Sequence, residues 1–172
     1  MDSSHKHGFG DLLDEHAPII CLLERREMRD TLFSWSITRL PGTVFTDHVD
    51  SPEVLARDLI HEAGHHWFTD APNAASVSFS ENPSLYSQWR NIILHAFGFL
   101  HACWAFSLTA ITGPRWSTRL LLRRRAFCAT MTDQGRLLRD ALLALADAVT
   151  LITSGPLRNQ LSKAVEAALR ST

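Results

Sequence analysis

The sequence predicts a mainly α protein: a single-domain helical bundle with a small β-hairpin ahead of the helix that carries its most informative motif. Three observations predict it. A helix start is well signalled at Ser51, where an N-cap serine, Pro52 at the first helical position and Glu53 in the first turn stand in the preferred order. A twenty-residue stretch without formal charge, IILHAFGFLHACWAFSLTAI from Ile92 to Ile111, reads as a helix buried on all sides. A leucine-rich tail reads as two helices, about 133–152 and 156–170, divided by Ser154-Gly155-Pro156.

The elements follow in order. The opening MDSSHKHGFGDLLDEH is polar and acidic and lacks the apolar core of a secretion signal. Residues 10–31 look helical, with a break or kink at Pro18. LFSWSITRLPGTVFTD sets β-branched and aromatic residues on both sides of Pro41-Gly42, which predicts the hairpin. The capped helix should then run from Pro52 to about Phe68, with Val54, Leu55, Leu59 and Ile60 on its core face. Residues 69–84, rich in Ser, Asn and Pro, read as a loop. A long helix over roughly 88–111 should stop at Gly113-Pro114, and the basic segment RWSTRLLLRRRAF follows.

The 172 residues suffice for one domain with a real core, so residues 1–172 are read as a single metal-binding unit. A net charge of −1 gives no reason to expect a nucleic acid or a membrane surface as partner. The uncharged stretch carries two histidines, which suits a buried helix better than a transmembrane span. Cys21, Cys103 and Cys128 lie far apart without a C-x-x-C pair, the usage of a reduced, cytoplasmic protein.

The motif is LIHEAGHHWFTD, residues 59–70. On a helix, positions i and i+4 share a face, so His61 and His65 can offer their imidazoles to one metal ion. Glu62, one step round, stands beside that ion rather than on it; this is the H-E-x-x-H arrangement. Gly64 inside the motif costs about 1 kcal/mol relative to Ala, which makes sense if something packs close to the backbone. The bland alternative is a pair of structural histidines on an amphipathic helix. His66 points off the shared face and reads as structural or as an outer support to the metal ligands.

Two histidines alone hold a catalytic metal poorly. The extended peptidase form with a third histidine fails, because Phe68 and Ala71 occupy its glycine and histidine positions. The form that borrows a later E-x-x-x-D glutamate fails at Glu81, which Asn-Pro-Ser-Leu follows. Asp70 is near in sequence but should lie past the helix end. His95 and His101 remain, both in the long helix, where a buried imidazole must be bonded or ligating.

At DSPEVLARDLIHEAGHH, LYSQWRNIILHAFGFLHACWAF and LLRDALLALADAVTLITSGPLRNQL, about residues 40–165, the chain resembles the HExxH-motif peptide β-hydroxylases associated with ribosomal peptide natural products. Those proteins are described as non-haem iron, 2-oxoglutarate-dependent oxygenases. In them a Leu-Tyr-Ser-Pro-Trp-Arg run stands twelve residues before a histidine. The resemblance therefore implies His101 as third ligand to Fe(II), with His95 second, and roles toward 2-oxoglutarate for Tyr86, Trp89 and Arg90. It also implies a peptide substrate and a possible leader-peptide-binding partner protein. The family's usual Trp-Arg-Asp-Asp-Pro-Arg-Pro is replaced here by Trp89-Arg90-Asn91-Ile92-Ile93-Leu94-His95, so its second arginine is missing. Arg90, Arg119 or one of Arg123, Arg124 and Arg125 would have to bind the far carboxylate. On one unbroken helix, Arg90 and His101 would stand about 16 Å apart, too far for a small ligand unless the chain breaks near Asn91.

Two other readings use the same residues. In a zinc hydrolase, Glu62 would be the catalytic general base for a metal-bound water. A catalytically idle scaffold would keep only the shape. The basic strip from Arg115 to Arg125 is read as a solvated helix face, with docking of an acidic leader segment as the functional version.

Overall fold

The computed structural model describes residues 8–27, 32–77, 83–116 and 133–171, with side chains as far as residue 112 in the third stretch. Helix makes up 60% of it, in six helices, so the mainly α expectation holds. The order is α1 (Gly10–His16), β1 (Ile19–Arg25), β2 (Ser34–Ser36), β3 (Thr43–His48), α2 (Pro52–Ala74), β4 (Ser84–Ser87), β5 (Ile92–His95), α3 (Ala96–Trp116), α4 (133–140), α5 (Leu142–Thr150) and α6 (Gly155–Ser171). Among the described residues no helix is long and apolar enough to cross a membrane.

The expected hairpin is present as β2 and β3, antiparallel with Trp35 opposite Phe45, and Pro41-Gly42 lies in the turn. Gly42 has φ +72, and a Cβ there would stand 3.0 Å from Pro18 Cδ, so two constraints select glycine. The hairpin is larger than expected, because β1 adds to β3 in parallel and gives the sheet order β1-β3-β2. The expectation of helix through residue 31 is therefore corrected. Helix α1 ends at His16, and past Pro18 the run Ile19-Ile20-Cys21-Leu22 pairs with Thr43 through Thr46. Its β-branched start and the waiting edge of β3 outweigh a weak helical pattern.

Helix α2 starts at the predicted residue, with Ser51 extended (φ −150) and its hydroxyl donating to Glu53. It runs past Phe68 to Ala74 and takes Pro72 into its last turn. Asp70 thus lies within the helix. The long helix expected from residue 88 is corrected as well. Ser84–Ser87 and Ile92–His95 form a two-stranded antiparallel hairpin, and α3 begins only at Ala96, continuing through Gly113-Pro114 to Trp116. The tail divides into three helices rather than two, with a further break at Ala141.

Helix α3 is the central element: Phe99, Leu100, Cys103, Trp104 and Leu108 join one apolar core with Ile60 and Phe68 of α2 and with Leu145, Leu157, Leu161 and Val165 of the tail. A smaller core under the sheet joins Val44 to Leu59 and Ala63 of α2. Helix α2 thus sits between the sheet and α3, and its motif face meets both. Gly64 permits this close approach, since a Cβ there would lie 2.9 Å from Leu108 Cδ1 and 3.5 Å from Ala105 Cα. His66, read as structural, is buried and donates from Nε2 to the Thr43 carbonyl, 3.2 Å away.

Candidate metal centre

His61 and His65 project from adjacent turns of α2, and their Nε2 atoms are 3.1 Å apart. Two imidazole nitrogens about 2.1 Å from one ion, at the angles of a tetrahedral or octahedral shell, lie roughly 3 to 3.5 Å from each other. The spacing therefore fits a pair of ligands. Protonation also fits. Burial, reinforced by Arg57 and His101, holds His61 down to about 4. Burial holds His65 well below the usual histidine range, and the neighbouring His61 adds to the effect. Both rings are neutral near pH 7 and keep a lone pair to give.

Helix α3 orients the first of them. His61 Nδ1 lies 3.2 Å from Thr109 Oγ1, whose own proton goes to the Ala105 carbonyl at 2.9 Å. The hydroxyl oxygen must then accept, so His61 carries its proton on Nδ1 and leaves Nε2 bare. Sequence reasoning missed Thr109. Its signal was the i+8 spacing from His101 on a helix already singled out.

His101 is the third imidazole of the cluster, with its ring centroid 4.3 Å from that of His65. Its Nε2 lies 2.8 Å from the His65 main-chain carbonyl and 3.5 Å from Thr69 Oγ1. A carbonyl only accepts, so Nε2 holds the proton and Nδ1 is the bare atom. Burial lowers this histidine too, against the raising effect of that hydrogen bond. Among the described residues, no three or more His, Cys, Asp or Glu side chains are gathered as a finished metal-binding set. The structure brings His101 beside the pair without turning Nε2 toward it. His95 is not brought there: it sits exposed on β5, opposite Ser84. Asp70 is also elsewhere, on the far end of α2 facing His16 at 3.7 Å.

Glu62 is buried, and both carboxylate oxygens are engaged. Ser34 Oγ donates to Oε1 at 2.8 Å and Ser36 Oγ donates to Oε2 at 2.9 Å. Burial pushes this carboxyl up, opposed by the two hydroxyls. The alternation of Ser34-Trp35-Ser36 on β2 puts both hydroxyls on one face of the strand, a pattern visible in the sequence once β2 is placed over α2.

These groups open onto one cavity of about 480 Å³, lined by Ser34, Ser36, His61, Glu62, His65 and His101, with Trp89 and Arg90 on the side of the β4–β5 hairpin. Trp89 lies flat on Phe106, centroids 4.8 Å apart and planes within 3°, and Phe106 in turn packs on His61 at 4.7 Å. Arg90 is exposed yet near enough to His65 to help depress it. The chain does break at Asn91, whose φ is +53, so Arg90 stands at the cavity rather than far along a helix. Tyr86 does not line the cavity; its hydroxyl donates to Asn91 Oδ1. Arg119, Arg123, Arg124 and Arg125 lie outside the described residues.

No family model matches the chain, and no curated protein matches it.

Proposed function

We propose that the chain is a non-haem Fe(II)- and 2-oxoglutarate-dependent oxygenase that hydroxylates a side-chain carbon of a ribosomally made peptide. One observation carries the reading: two neutral imidazoles at ligand spacing and a guanidinium share a single cavity. The imidazole end suits a divalent cation, and the guanidinium suits a carboxylate that a small bridging ligand would carry. The resemblance in the sequence supplies the identity of both guests.

His61 and His65 would hold the ion through Nε2, and His101 would complete the set through its bare Nδ1. The His65 carbonyl then keeps the His101 ring in place through the other nitrogen, the usual outer support of a ligating histidine. Arg90 would receive the far carboxylate of the cosubstrate. Trp89 and Phe106 wall the cavity and keep water from the ring faces. When bound, Fe(II) and 2-oxoglutarate supply an oxidation in which O2 is consumed, succinate and CO2 leave, and one oxygen atom enters a C–H bond of the peptide.

The second reading, a zinc hydrolase with Glu62 as general base, is favoured by one observation: Glu62 lines the same cavity and burial raises its carboxyl. Against it, both Glu62 oxygens already accept hydroxyl protons from β2. The experiment that separates them offers the protein candidate precursor peptides with Fe(II), O2 and 2-oxoglutarate. Succinate release that needs all three together with peptide supports the oxygenase. Peptide cleavage that persists without oxygen and disappears in Glu62→Gln supports the hydrolase and overturns the proposal. Absence of stoichiometric metal after anaerobic supply of Fe(II) or Zn(II) would leave a scaffold.

A further inference from the structure

The turn that carries Arg90 has its own machinery. Strand β4 ends at Ser87 and β5 begins at Ile92, so residues 88–91 must reverse the chain. They do so with the Asn91 amide bonded to the Ser87 carbonyl at 2.8 Å and Asn91 in the left-handed region at φ +53. Asparagine tolerates that conformation far better than a β-branched residue. Its side chain is held as well, because Oδ1 accepts the Tyr86 hydroxyl proton. Tyr86 stands on β4 two residues before the turn, half exposed and off the cavity. It therefore reaches the site only through Asn91.

The following run, Ile92 to His101, is apolar enough to extend helix α3 backwards. Had it done so, Arg90 would lie about 16 Å from His101, outside the reach of a small bridging ligand. Instead, the left-handed turn at Asn91 and the pairing of Ile92–His95 with Ser84–Ser87 replace that continuation, and Arg90 comes back beside His65.

We infer that Tyr86 and Asn91 are positioning residues: together they set the turn that holds the Arg90 guanidinium over the imidazoles, where it receives the far carboxylate of a dicarboxylate ligand. The inference rests on the proposed oxygenase reading, and the test separates the two.

The test titrates 2-oxoglutarate into the Fe(II)-loaded protein under anaerobic conditions without peptide, and measures Fe(II) affinity in parallel. Arg90→Ala should weaken 2-oxoglutarate binding by about tenfold or more, the loss of a charge-assisted pair. Asn91→Val should weaken it to a similar degree, whereas Asn91→Gly, which accepts the same backbone angle but has no acceptor for the Tyr86 hydroxyl, should lose only about as much as Tyr86→Phe, roughly threefold. Tyr86→Phe should lie between wild type and Asn91→Val. Fe(II) affinity should be unchanged in Asn91→Gly and Tyr86→Phe, which a general loss of structure would not leave intact. If Asn91→Val and Tyr86→Phe bind 2-oxoglutarate like wild type while Arg90→Ala does not, the positioning inference is wrong and the role of Arg90 stands. If Arg90→Ala binds like wild type, or wild type does not bind, both fall. Should Asn91→Val also lose Fe(II), Tyr86→Phe decides, and its unchanged binding overturns the inference.

Discussion

The two sides of the cavity are built on different principles. The imidazole side is made by two long helices in close contact, with His61 and His65 half-buried and the backbones brought together at Gly64. The guanidinium side is an exposed two-stranded hairpin, with Ile93 and Tyr86 open to solvent and Arg90 on its turn. The two frames suit different guests. A cation needs several donors fixed to a few tenths of an ångström, which only packed elements supply. One carboxylate needs one fork on an arm that can close over it, and an exposed turn is sufficient.

The largest expected effect is at His65. His65→Ala should abolish stoichiometric metal binding while circular dichroism keeps the helical signal, since the ring's polar atoms support no other element. Retention of metal by that variant, measured by elemental analysis, would remove the imidazole side from the account. A smaller effect on the same side comes from acid. In the metal-free protein His61 is held down to about 4, chiefly by burial, while the unfolded chain protonates near 6.5. The unfolded state therefore binds the extra proton in that window. Stability is full above 6.5 and falls as pH drops toward 4, by on the order of 3 kcal/mol. Urea unfolding between pH 4 and 7 checks the sign, and a flat profile would mean that the ring is solvated.

Gly64→Val should follow, destabilising the protein by about 1 to 3 kcal/mol as the added methyls press on Leu108 and Ala105. It should also loosen the histidine pair, which a metal titration reads. The double change of Ser34→Ala with Ser36→Ala removes both side-chain donors to Glu62 and should cost about 1 to 3 kcal/mol by thermal melt. The smallest effects belong to the hairpin: Arg90→Ala should leave the melting temperature within about 2 °C, because surface changes away from the core seldom cost more than 0.5 kcal/mol.

The helix-borne side was the legible one. The i, i+4 spacing of His61 and His65, the start at Ser51 and Pro52 and the glycine at 64 are local signals, and local signals are what a helix obeys. The β2–β3 hairpin was legible for the same reason, through Pro41-Gly42. What sequence reading missed depends on distant partners. Ile19-Ile20-Cys21-Leu22 becomes a strand because β3 pairs with it, and within the run only the β-branched Ile19-Ile20 leans that way. Ile92 to His95 continues into α3 without a composition change, and only its pairing with Ser84–Ser87 across the turn at Asn91 makes it a strand. Glu62 shows the same limit, since its partners Ser34 and Ser36 come from a strand 26 to 28 positions earlier.

The most direct measurement compares Fe(II) binding by wild type, His101→Ala and His95→Ala under anaerobic conditions. His101→Ala should weaken Fe(II) binding by about tenfold or more, and His95→Ala should bind like wild type. The reverse result, metal kept without His101 and lost without His95, would contradict His101 as the third ligand.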